Sequence, residues 1–176
     1  MKRLFVFLSA VTIICLSLNA QTRKNDNNLQ QKVSDIEDRI ALKELVDNFS
    51  ILADKKDVKT QVLLFTPDAV LETVVNGASA GTMTGRQALE QAFGTFLANF
   101  EIVYHFDGQQ TVTLNGDKAS GISYCMVTLI GTEKDKKMKT TFGIHYKDEF
   151  VRQNGKWLIA RRTSVFDWQD KQSLGQ

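Results

Sequence analysis

Two histidines and a single cysteine downstream of the amino-terminal apolar run set the chemistry open to this chain. His105 lies in Tyr104-His-Phe-Asp-Gly108, and histidine can act as base or acid near neutral pH. Strand alternation puts Ile102, Tyr104 and Phe106 on one face, and Glu101, Val103, His105 and Asp107 on the other. Pattern alone makes the His105 face the wetter one. His145, sharing a face with Lys147 and Glu149, reads as solvent-exposed. Cys125 sits in the strand-like run from Ile122 to Ile130, so it reads as a small buried hydrophobe and not a nucleophile. Arg162, on a strand amid Leu158 and Ala160, either pairs with a carboxylate or meets an anionic ligand. Tyr124 and Met126 either line a cavity or fill the core. No cysteine or histidine cluster has zinc spacing, so no metal site is expected. No glycine-rich phosphate loop precedes a helix. Gly77-Ala-Ser-Ala-Gly81 fits G-x-S-x-G, but Thr82-Met-Thr84 follows it where a nucleophile elbow needs a helix.

These residues must be positioned by one domain of modest size. The chain has 176 residues, 43% of them hydrophobic, with one proline and 22 basic against 20 acidic side chains. That composition argues against disorder, and the balanced charge argues against nucleic acid as a partner. Residues 1–20 read as a signal peptide, with Lys2 and Arg3 ahead of an apolar run and Ala20 at the cleavage point. Ile14 before Cys15 does not suit a lipobox, so lipidation is not expected. The segment holds two basic residues and no acidic one, so the mature chain carries 20 of each. The expected location is periplasmic or extracellular, with no membrane contact after cleavage. Cys125 is then alone, and no intramolecular disulfide is possible.

Residues 21–31 read as a flexible polar lead-in. Ser34-Asp-Ile-Glu37 reads as a capping box opening a helix that runs to about Asp54. Its apolar residues form two stripes: Leu42, Leu45, Val46, Phe49, Leu52 and Ala53 on one, Val33, Ile36, Ile40 and Ile51 on the other. Helix with apolar residues on two sides is covered on both or lies across a hollow. A shorter helix spans 57–65, and a strand 69–75 follows the Thr66-Pro67-Asp68 stop. Residues 86–100 return to helical spacing. Strands are expected at 101–107, 109–115, 118–132, 138–152 and 156–168, with Asn115-Gly116 and Asn154-Gly155 as tight turns. Helices followed by a long antiparallel meander make the fold class α+β.

Five segments in order then resemble the SnoaL-like families of the nuclear transport factor 2-like superfamily. They are Leu64-Phe-Thr-Pro-Asp-Ala69, Gly85-Arg-Gln-Ala-Leu89, Gly116-Asp-Lys-Ala119, Tyr146 to Arg152 with Asn154-Gly-Lys-Trp157, and Arg162 with Phe166-Asp-Trp168. The similarity covers residues 32–170. It implies a cone-shaped α+β barrel, with three N-terminal helices packed on a strongly curved, mainly antiparallel sheet around a cavity.

Within this superfamily the pattern resembles that of the scytalone and bile-acid dehydratases. The resemblance implies that Asp54 and His105 are a catalytic pair and that Arg162 is a pocket arginine. Phe49, Tyr124 and Tyr146 complete the expected ligand-binding set. Phe49 stands where those enzymes keep a tyrosine, and their second histidine has no counterpart around Leu129. Two functions follow: a cofactor-free dehydratase or isomerase acting on a small hydrophobic molecule, or a non-catalytic ligand-binding or dimerisation module. An idle, solvated Asp54 beside Lys55 and Lys56 would fit the second. The resemblance also implies a homodimer through the sheet, whose outer face would carry Val103, Val127 and Val151.

Overall fold

The computed structural model describes residues 2–174, with side chains from Asn25 onward. The chain divides into two compact units, residues 1–40 and 41–176. A single helix, α1 (Lys2–Asp54), holds the described residues of the first unit and the first residues of the second. Residues 21–31, expected as a flexible lead-in, belong to this helix, and Ser34 does not begin it. No glycine or proline interrupts residues 21–54, and the many Leu, Lys, Gln, Glu and Arg side chains favour continued helix. The apolar run expected to be a signal peptide has its side chains outside those described.

In the second unit α1 is followed by α2 (Val58–Gln61), a 3₁₀ turn (Val62–Leu64), β1 (Phe65–Val75), β2 (Ala78–Thr84), α3 (Arg86–Leu97), β3 (Ile102–Asn115), β4 (Lys118–Glu133), β5 (Lys136–Gln153) and β6 (Lys156–Ser173). The expected α+β class and element order hold. Strands 101–107 and 109–115 are one strand, and β2 is an addition to the expected set. Asp57 caps α2 by accepting the Thr60 N–H at 3.2 Å. The β3–β4 turn is Gly116–Asp117, one residue later than expected, because Asn115 still pairs with Lys118.

The six strands form one open, curved sheet in the order β2-β1-β6-β5-β4-β3. All neighbours are antiparallel except β1 and β6. A bulge between Asp107 and Gln110 inserts one residue into β3. Val103, His105 and Asp107 face inward before it, and Val112 and Leu114 after it, so the inner face survives the insertion. Leu42, Leu45, Val46, Phe49 and Ala53 of α1 are buried, with Leu71, Leu89, Val127, Ile144 and Ile159 among the residues opposite. The second stripe is not covered: Ile51 is exposed, as are Val33, Ile36 and Ile40 of the first unit.

Val103 and Val127, expected on an outer dimer face, are buried inward. Val151 is half-buried. The outward residues of β3 and β4 are instead Ile102, Tyr104, Phe106, Ile122, Tyr124 and Met126, all exposed.

Beneath the sheet surface lies a fully buried ion pair. Arg162 Nε and Nη2 donate to the two oxygens of Asp148 at 2.7 and 2.8 Å, and neither side chain is more than 1% exposed. Burial opposes the guanidinium charge, yet the adjacent Asp148 carboxylate raises its affinity for the proton above the ordinary arginine range. The next register pair, Arg161 and Glu149, lies on the outer face 4.0 Å apart and exposed. The two pairs form an internal control. Asp148→Asn should lower the unfolding free energy by about 3–5 kcal/mol, because it strands a buried cation. Glu149→Gln should cost no more than ~1 kcal/mol. Urea unfolding of both variants decides, and equal losses would contradict the burial argument.

Candidate functional site

The site begins where α1 stops. Lys56 adopts a left-handed φ of 56°, which ends the helix and turns the chain toward α2. The last helical turns present Ser50 and Asp54 toward β3, and Phe49 and Ala53 to the cavity. Ser50 and Asp54 are four residues apart, a rise of about 6 Å, while His105 and Asp107 are two apart on a strand, about 6.8 Å. The spacings match, and the side chains meet in pairs. The Ser50 hydroxyl donates to Asp107 Oδ1 at 3.0 Å. Asp54 Oδ1 lies 2.6 Å from His105 Nδ1 and also accepts the His105 backbone N–H at 3.1 Å. Further along the bulged strand, Gln110 Nε2 donates to the Leu42 carbonyl at 3.3 Å.

These contacts turn the apparently wetter face of β3 inward. The His105 side chain is 7% exposed and that of Asp54 27%, so the aspartate is engaged and not idle. A carboxylate can only accept, so this contact puts a proton on Nδ1, and in the neutral ring Nε2 then carries the lone pair. No group among the described residues bonds Nε2.

His105 lines a cavity of about 290 Å³ whose walls are otherwise mainly aromatic and aliphatic. Phe49 meets Phe65, Phe93 and Tyr146 edge-on, each at a ring separation of 5.9 Å. Phe93, Phe96, Phe142 and Phe166 also line the space, with Gln61, Thr73, Ser164 and the Tyr146 hydroxyl as its other polar groups. The phenylalanines shape this cavity without plugging it. Burial pushes the Tyr146 hydroxyl well above its usual range, so it stays protonated.

Of the six residues singled out from sequence, Phe49, His105 and Tyr146 line the cavity and Asp54 stands behind His105. Two do not line it. Tyr124 points to the outer face, 52% exposed, with its ring 5.8 Å from that of His145. Arg162 is bound by Asp148, and its guanidinium lies over Phe49 and Tyr146 at 4.3 and 4.1 Å. Of its two open readings, the carboxylate pair is the observed one. His145 is mostly covered, 18% exposed, and its Nδ1 lies 2.6 Å from Asp167 Oδ2. Cys125 is buried, and burial reinforced by nearby Asp107 pushes its thiol far above the range of a reactive cysteine. Sequence reasoning missed Gln61 and the Ser50–Asp107 contact. Neither carries a motif, and the helix–strand spacing match was the one available signal.

Comparison with known proteins fits this geometry. An uncharacterized protein of Mycobacterium tuberculosis is 29% identical over 134 residues, spanning 76% of this chain and 88% of that protein. Among solved structures, one from Novosphingobium aromaticivorans, provisionally named a scytalone dehydratase, superposes with a TM-score of 0.67 at 17% identity. That match covers 77% of this chain and 88% of the other. A hexachlorocyclohexane dehydrochlorinase, LinA type 2, gives 0.68 at 17% identity, covering 82% and 93%. At these identities the two structures speak for the fold. The model of the SnoaL-like domain matches residues 34–163, most of the chain and all of the cavity's polar residues except Ser164, and the protein belongs to that family.

Proposed function

We propose that this protein is a cofactor-free enzyme of the dehydratase or isomerase kind, acting on a small hydrophobic molecule through His105 and Asp54. One observation carries the reading: an imidazole held by a carboxylate presents an unbonded Nε2 to a mainly apolar cavity. Nε2 takes a proton from a carbon beside an electron-withdrawing group, and the C–H electron pair moves into the new double bond or enolate. Asp54 stabilises the imidazolium that forms. The same imidazolium then gives its proton to a departing hydroxyl or returns it to another carbon. One proton carrier therefore serves both halves of the reaction. The names of the structurally similar dehydratase and dehydrochlorinase are consistent with elimination chemistry on this fold. Phe49 in place of a tyrosine favours the second reading, a binding module, because it removes a candidate acid.

Proton exchange separates the two readings before any natural substrate is known. In D2O the protein should accelerate loss of the acidic C–H signal of 2-tetralone, followed by proton NMR. His105→Ala should slow exchange about 10²-fold or more, and Asp54→Asn at least about tenfold by releasing the Nδ1 proton. Wild-type exchange rates in His105→Ala would overturn the catalytic assignment.

We further propose export by cleavage after Ala20, on the strength of the charged start and apolar run of residues 1–20. Amino-terminal sequencing of protein secreted by an exporting host should begin at Gln21. Retention of Met1, or a lipid on Cys15, would refute it.

A second copy of this chain is our proposed partner at the outer sheet face. The row Phe106, Met126, Gly143, Trp168 crosses four strands. Three of its side chains are exposed, and a Cβ on Gly143 would lie 2.0 Å from Trp168 Nε1, so the indole lies across the glycine. Exposed apolar side chains that adjoin across several strands mark an interaction surface. Beside it Lys147, Glu149 and Arg161 offer both charge signs on one face, which suits two-fold self-pairing. Sedimentation at micromolar concentration should give a dimer, and Phe106→Asp a monomer. A wild-type monomer would end the proposal.

A further inference from the structure

Gln61 is one of the few polar residues in the cavity wall, and it is 1% exposed. Its Nε2 donates to the Phe49 carbonyl at 3.0 Å. A carbonyl oxygen can only accept, so this bond fixes which end of the amide is which. The other end, Oε1, is buried and has no protein partner among the described residues. An unmatched acceptor in an apolar wall destabilises the fold unless something supplies a donor. His105 Nε2 is a second acceptor of the wall in the neutral ring, and the hydroxyls of Thr73, Tyr146 and Ser164 are its other polar groups. The guanidinium of Arg162 is outside the lining, with Nε and Nη2 on Asp148 and Nη1 without a partner among the described residues.

From this we infer that Gln61 Oε1 is a specificity determinant: the cavity takes a largely hydrophobic molecule bearing a hydroxyl or N–H, whose hydrogen bond Gln61 accepts. The amide is anchored on the last turns of α1, the element that also carries Asp54. The donor of the ligand is therefore held in fixed relation to the base. This inference rests on the cavity being the ligand site.

A matched pair of probes tests it: 1-naphthol, which has the donor, and 1-methylnaphthalene, which has nearly the same shape without it. Calorimetric titration of the full chain should show a preference of about tenfold for the naphthol, the size expected of one buried hydrogen bond. Gln61→Met, which keeps the volume, should abolish that preference while leaving the methylnaphthalene affinity within about threefold. Because this variant also loses the anchor on Phe49, a second measurement uses the unaltered protein. With carbon-13-labelled glutamine, the Gln61 side-chain carbonyl resonance should shift on adding the naphthol and stay in place with methylnaphthalene. Equal affinity of the wild type for both probes, or a full preference kept in Gln61→Met, overturns the assignment to Gln61 and leaves the cavity intact as a binding site. Failure of both probes to bind refutes the hydrophobic ligand site itself.

Discussion

The polar seam between α1 and β3 is the constraint on which the site depends. β3 is an edge strand, held on one side by β4 alone. Its inner face would present His105, Asp107 and Gln110 to the interior with no compensation, were α1 not laid across it. Two pairs and one backbone contact meet those groups, at spacings set by the helical rise and the strand repeat. A slip of one residue along β3 would turn each of these groups outward. Register is therefore specified by hydrogen bonds as well as by apolar burial, and the imidazole is oriented by the same contacts that dock the helix.

Aromatic packing shapes the space in front of that imidazole. Phe49 sits where α1 crosses the sheet, with three rings against its edges and the Arg162 guanidinium on its face. The planar cation, bound by both oxygens of Asp148, acts as a flat packing element between Phe49 and Tyr146. Its Nε and Nη2 are engaged by Asp148, while Nη1 has no hydrogen-bond partner among the described residues. The cavity in front is lightly polar, a setting in which a carboxylate-backed histidine is the dominant functional group.

The two faces of the sheet use similar residues for different ends. His145 contacts Asp167 on the outer face as His105 contacts Asp54 on the inner one, both through Nδ1 at 2.6 Å. The outer pair lies beside Tyr124 and opens to solvent, whereas the inner pair opens to an enclosed cavity. Local sequence cannot distinguish these situations. In each case a histidine alternates with aromatic and aliphatic neighbours.

Much of the fold was legible before any coordinates. The α+β class, the element order, the buried stripe from Leu42 to Ala53 and the Asn154-Gly155 turn all follow from periodicity and turn chemistry. The family resemblance paired Asp54 with His105. Periodicity failed on β3, where the apolar residues Ile102, Tyr104 and Phe106 face outward and the polar ones inward. It failed because alternation assumes that polar groups seek water, and here they find partners on a helix about fifty residues earlier. The fate of Arg162, the outward turn of Tyr124 and the unmatched oxygen of Gln61 were decided by tertiary structure alone. Each depends on which side of a curved sheet a residue meets, and on what lies across from it.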